Sequence, residues 1–134
     1  MNNILFRGKH IYVDEWAEGS LLVFPNTGRT KILKWNQADL DFDQIEVRPE
    51  TVGQYTGLTD KNGEWIFEGD IIDCWSEGVN AQGTVQQRRD GLWIIYPAWQ
   101  KHIMWGLCPD EYNNTTVEII GNIHDNPELM DNHN

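Results

Sequence analysis

Basic side chains are scarce in this chain of 134 residues: ten Lys plus Arg stand against 21 Asp plus Glu, a formal net charge of −11. A protein that neutralises nucleic-acid phosphates normally presents a basic face, and the longest basic cluster here is Arg88-Arg89. Nucleic acid therefore ranks below a protein as a partner. The acidic surface keeps the chain soluble or meets a basic partner protein. Cysteine is also sparse: Cys74 and Cys108 make neither a disulfide framework nor a CxxC pair. No stretch approaches the roughly 18 apolar residues of a membrane helix, and the opening MNNILFRGKH lacks the apolar core of a signal peptide. A reduced cytosolic protein with free thiols and no membrane association is expected. Phosphate-cradling GxGxxG and GK[ST] loops are absent, and sustained helical periodicity is missing.

What is present reads as β-structure. Hydrophobic residues make up 40% of the chain and seven are tryptophan, which excludes a disordered chain. SLLVF (20–24), RTKILKW (29–35), DIIDCW (70–75), GTVQQ (83–87), LWIIY (92–96) and TVEII (116–120) are short segments rich in β-formers, bounded by Gly, Pro, Asn or Asp. PNTG (25–28), KNG (61–63) and RDG (89–91) read as tight turns, and RDGLW after GTVQQ is the clearest hairpin. Helix is expected at two places: QADLDFDQI (37–45) and one turn at NPELM (126–130), with Asn126 capping and Pro127 at the first helical position. No linker divides the chain, so a single domain over 1–134 is expected.

The chain also echoes itself. Phe6-Arg7-Gly8 returns as Tyr55-Thr56-Gly57, and at the same offset Glu15-Trp16 returns as Glu64-Trp65. After one inserted residue, Glu18-Gly19-Ser20-Leu21-Leu22 matches Glu68-Gly69-Asp70-Ile71-Ile72. ETVGQY (50–55) likewise returns as EIIGNI (118–123). The pattern points to two duplicated β units, 4–54 and 55–123, followed by a tail over 124–134. Two such units sharing a core predict a barrel or pseudo-barrel with one or two short helical segments, since closure removes exposed strand edges. In this reading GEW and EGDII are structural, and Trp65 supplies a large buried side chain.

ETVGQYTGLTDKNGEWIFEGDII (50–72), FRGKHIYVDEWAEGSLL (6–22) and EIIGNIHDNPELM (118–130) together resemble the YopX family of phage and prophage proteins. The resemblance covers nearly the whole chain, and the middle segment is its most specific part. It implies a mostly β, barrel-like fold with two repeats, encoded by a bacteriophage or prophage; together with the lack of an export signal, this sets the expected location as the bacterial host cytoplasm. It carries over neither an activity nor catalytic residues, and no family motif matches 73–115.

Candidate chemistry is thin. His102, Cys108 and Cys74 could converge on zinc, but no CxxC or HxxxH spacing supports it. Cys108 with His102 or His124 is a formal nucleophilic pair without a neighbouring oxyanion-hole pattern. Asp39, Asp41 and Asp43 would share a face only on a strand, as a solvated edge. No catalytic residue, metal or cofactor is expected. The aromatic run LWIIYPAWQKHIMWG (92–106) is the most unusual stretch. Its rings either fill the barrel or form a contact surface, in which case Tyr96, Trp99 and Trp105 are the anchors and Arg88, Arg89, Lys101 and His102 the polar rim. The favoured function is a non-enzymatic phage accessory protein, a β-barrel that binds a host or phage protein or a second copy of itself. A nucleic-acid-binding barrel acting in phage replication or regulation is the alternative, and a small hydrolase the second.

Overall fold

Short β-forming segments separated by Gly, Asn and Asp turns are the composition of antiparallel sheets. A computed structural model of the chain describes residues 5–76, 79–98 and 103–131. The elements are β1 (Phe6–Lys9), β2 (Trp16–Val23), β3 (Thr30–Asn36), β4 (Asp41–Val47), a 3-10 turn (Pro49–Thr51), β5 (Gly53–Thr59), β6 (Trp65–Phe67), β7 (Asp70–Ser76), β8 (Val79–Gln87), β9 (Trp93–Ala98), β10 (Ile103–Gly106), β11 (Glu118–Asn122) and α1 (Glu128–Asp131). Each β segment expected from the sequence contains or overlaps one of these strands. The ladders run β4-β3-β2-β1-β5-β6 and β10-β9-β8-β7-β11. Two compact units result, Met1–Tyr55 and Thr56–Asn134. Among the described residues no helix is long and apolar enough to cross a membrane.

In the first unit β2 serves two neighbours in turn. Residues Trp16 to Gly19 pair with β1, and residues Ser20 to Val23 pair with β3. β3 and β4 then pair over their whole length, from Thr30↔Val47 to Asn36↔Asp41. The end of β4 returns to β1: His10 and Val47 form an antiparallel bridge, flanked by Arg48 N–H donating to Lys9 O (2.9 Å) and Ile11 N–H to Glu46 O (3.0 Å). Thr51 fixes the reversal into β5, its hydroxyl accepting the Lys9 N–H at 2.8 Å and donating to Arg48 O at 2.7 Å. Ala17, Ile32 and Val47 form the buried core, with Phe6, Leu21, Ile45 and Val52 packed against it. Among the described residues this curl is shut by one bridge. Each sheet ends in terminal strands, so no closed barrel is found among the described residues.

The helix expected at 37–45 is a turn and a strand instead. Asn36 Oδ1 accepts the N–H groups of Ala38 (3.0 Å) and Asp39 (3.3 Å), Leu40 takes a positive φ of 51°, and Asp41 onward joins the ladder to β3. An Asx turn followed by seven cross-strand pairs outweighs weak local helix preference. Asp41 and Asp43 then lie on a terminal strand, exposed to solvent, as their spacing predicts.

In the second unit β7, β8, β9 and β10 form a meander, and β11 returns antiparallel along β7 with a register shift between Ile119 and Gly121. Ile66, Ile72, Cys74, Val85, Ile95 and Val117 belong to its buried core. The RDG hairpin forms as expected, closed by Arg88 N–H to Leu92 O (2.8 Å) and Gly91 N–H to Arg88 O (2.9 Å). α1 occupies the NPELM segment, but Asn126 Oδ1 turns back to accept the Asn122 N–H at 3.3 Å.

Candidate interaction surfaces

The motif TDKNGEW is held from within. Asp60 is only 2% exposed. Its Oδ1 accepts the N–H groups of Asn62 and Glu64, both at 2.9 Å, and its Oδ2 accepts that of Ile119 at 3.2 Å. Its backbone closes the same loop, with Asp60 N–H to Glu64 O (2.8 Å) and Gly63 N–H to Asp60 O (3.0 Å). Asp110 repeats this arrangement: its Oδ1 accepts the N–H groups of Tyr112 (2.8 Å) and Asn114 (3.0 Å). Its N–H donates to Asn114 O at 2.9 Å, and its carbonyl accepts the Asn113 N–H at 3.1 Å. Gly63 and Asn113 occupy the same place in the two loops, with φ of 83° and 65°. The loops are laced together by Thr59 N–H to Asn113 O (3.0 Å) and Thr115 N–H to Thr59 O (2.8 Å). Asp70, likewise buried, accepts the Phe67 N–H at 2.8 Å. These carboxylates serve backbone amides, which is structural work.

Trp65 departs from expectation. It is 46% exposed, because β6 begins at this residue and Ile66 and Phe67 take its buried positions. Trp16, which opens β2, is half-buried, with Arg7 Cζ 4.7 Å and Lys9 Nζ 5.5 Å from its ring centroid. The half-exposed ring removes the reason to expect a core-sized loss from Trp65→Ala.

Of the surface read from the aromatic run, Trp99, Lys101 and His102 lie outside the described residues, as does the side chain of Trp105. Tyr96 is half-buried on β9 opposite Thr84. Arg88 and Arg89 are exposed at the β8–β9 turn, where Arg88 forms an ion pair with Asp90. That pairing, through a side-chain hydrogen bond, holds the Asp90 carboxyl below its ordinary value.

A second apolar surface escaped sequence reasoning. Ile32 points into the first core, so Lys31, Leu33 and Trp35 point to the opposite face of β3. Glu46, Gln44 and Phe42 of β4 stand across from them, and Leu22 of β2 is opposite Lys31. Trp35 and Phe42 are 50% and 48% exposed. Their rings meet edge to face at 5.2 Å and 73°, a favoured aromatic geometry. Lys31 Nζ lies 5.6 Å from the ring of Phe24, and Leu22 and Phe24 are also exposed. The signal was legible in KILKW, which places apolar residues on both faces of one strand.

The two thiols differ sharply. Cys74 is buried, its thiol pushed up to about 11 chiefly by burial and secondarily by the neighbouring Asp73 charge. Cys108 is exposed, its thiol donating to Gly106 O at 3.6 Å. Thiolate is the reactive form. Iodoacetamide at pH 8 is therefore expected to give one adduct, on Cys108, with Cys74 modified only after unfolding. Mass spectrometry of the intact and digested protein checks this, and primary modification of Cys74 in the folded chain would refute it. Among the described residues no group of His, Cys, Asp and Glu is placed to hold a metal ion.

The fold matches a crystal structure of protein EF1440 from Enterococcus faecalis, with a TM-score of 0.51 and 21% sequence identity over 96% of this chain and 98% of that one. No curated protein matches the chain. Residues 5–131, nearly the whole length with both Asp-anchored loops and the aromatic face of β3 and β4, match one family model, and the chain belongs to the YopX protein family.

Proposed function

We propose that the protein is a non-enzymatic, phage- or prophage-encoded module that acts in the bacterial host cytoplasm by binding another protein, through the outer face of β2, β3 and β4. The carrying observation is the half-exposed Trp35–Phe42 pair, flanked on the same face by Leu22, Phe24 and Leu33. Contiguous exposed apolar patches mark interaction sites, and tryptophan is over-represented among residues that dominate interface energy. Membership of the YopX family supports the phage setting. The single bridge between His10 and Val47 supports a half-closed barrel as the scaffold. Arg88, Arg89 and Tyr96, with Trp99, Lys101, His102 and Trp105, form a second proposed surface. A nucleic-acid role draws less support, with Arg88 engaged by Asp90 and a net charge of −11.

Trp35→Ser combined with Phe42→Ser is the test. Both side chains are half-exposed, so the folded protein should survive. Affinity capture from infected host cells should lose its partner, or the oligomeric mass in light scattering should fall. An unchanged partner list and mass with the double variant would refute this use of the face.

A further inference from the structure

We infer that the free edge of β4 receives an extended segment of the partner protein in which basic residues alternate with apolar ones. The inference rests on the protein-binding reading and names the chemistry of its partner.

β4 is a terminal strand of its sheet. Glu46 O accepts from Ile11, and Arg48 N–H donates to Lys9 O, so the peptide groups of Glu46 face away from β3. The β3–β4 register is unbroken from Thr30↔Val47 to Asn36↔Asp41. With backbone direction alternating along a strand, Gln44 and Phe42 also aim their N–H and C=O groups at the open side. Beyond the bridge to His10, no described strand lies there. The Phe42 N–H is instead taken by the carboxylate of its own neighbour, Asp41 Oδ1, at 2.7 Å. That carboxylate stands where the carbonyl of an added strand would stand.

The side chains define what fits. Asp41 and Asp43 lie on one face of β4 and are exposed, while Phe42 lies on the other beside Trp35. Residues of an added strand would meet carboxylate and ring in alternation. Opposite charges across strands stabilise a ladder and like charges destabilise it. A second copy pairing edge to edge would set these aspartates against each other, whereas Lys or Arg would add opposite charge beside Lys34, which faces Asp43 from β3. Strand addition takes its affinity from main-chain hydrogen bonds and its specificity from alternate side chains.

The test uses the full chain and two synthetic peptides: Lys-Val-Lys-Tyr-Lys-Val-Lys, and a control of the same composition with all lysines first. The alternating peptide should bind at least about tenfold more tightly in fluorescence anisotropy and should protect the Phe42 and Gln44 amides from hydrogen exchange. Gln44→Pro removes an edge donor without touching the ladder to β3 and should weaken binding by about tenfold or more. Asp41→Asn with Asp43→Asn should weaken it and flatten its salt dependence. Equal binding of the two peptides, or full binding by Gln44→Pro with a native NMR spectrum, overturns the edge inference. If the captured cellular partner is lost with Trp35→Ser/Phe42→Ser yet kept with Gln44→Pro, the protein-binding reading stands and the edge inference falls.

Discussion

Asp60→Ala is expected to destabilise the protein by about 3–5 kcal/mol, against a total of about 5–15 kcal/mol for a typical domain. Three backbone N–H groups, from Asn62, Glu64 and Ile119, lose their acceptor at a site that is 2% exposed. A carboxylate hydrogen bond contributes about 1.5–3 kcal/mol, and the part-buried donors left without an acceptor add a desolvation penalty. The Ile119 contact also ties β11 to the loop before β6, so its loss loosens two chain segments. Asp110→Ala is the internal control: its loop has the same hydrogen-bond geometry, but the side chain is exposed and water can replace it. It should cost about 1 kcal/mol, the scale of a lost cap. Asp60→Asn should fall between, because one amide end can still accept from Asn62 and Glu64 while the other confronts the Ile119 N–H with a second donor. Urea denaturation decides the matter. A loss under about 1 kcal/mol for Asp60→Ala would mean that the loop is held by its backbone alone.

Strands and turns were legible because their causes are local. Gly63 and Gly91 announce turns through the positive φ they adopt, and β-branched runs such as DIIDCW have nowhere to go but a pleated, half-buried surface. The segment 37–45 failed for a non-local reason. Its acids and its Leu, Phe and Ile tolerate a helix, and only β3, already committed to β2, supplies the partner that extends it. Trp65 departs from expectation because size does not dictate depth: Ile66, smaller and next in line, holds the buried position. The outer face is hidden in the linear sequence because its apolar side chains are spread over β2, β3 and β4, whereas the rings of 92–106 fall in one run. Trp35 and Phe42 meet through strand register, which a linear reading does not display. Within EGDII the Asp70 carboxylate serves a backbone amide three residues away, whereas Asp60, which lies outside both GEW and EGDII, reaches the Ile119 amide 59 residues along the chain.

Gly19→Ala should cost about 2–3 kcal/mol, far more than Gly→Ala usually costs in a strand. A Cβ at Gly19 would sit 2.3 Å from Leu33 O and 3.1 Å from Ile32 Cγ2. The obstruction is backbone, so β3 itself must retreat where Ile32 is fully buried. Here β2 also leaves β1 for β3, and a strand that changes neighbours at a sharp corner needs a residue without a side chain. Gly69, its counterpart in the sequence echo, has a different reason to be glycine. It takes a φ of 93°, and an added Cβ would find only ordinary contacts, the nearest at 3.7 Å to Ile123 Cγ1. There the inserted residue lets Glu68 and Gly69 form a turn, and the chain breaks into β6 and β7 where β2 runs on through its bend. The two sites should therefore respond oppositely to asparagine, which tolerates positive φ but brings more bulk. Gly69→Asn should be milder than Gly69→Ala, and Gly19→Asn harsher than Gly19→Ala. Denaturation midpoints of the four variants check both orders. The same ranking at both sites would mean that space and backbone angle do not divide the two glycines, and the corner account of β2 would fall with it.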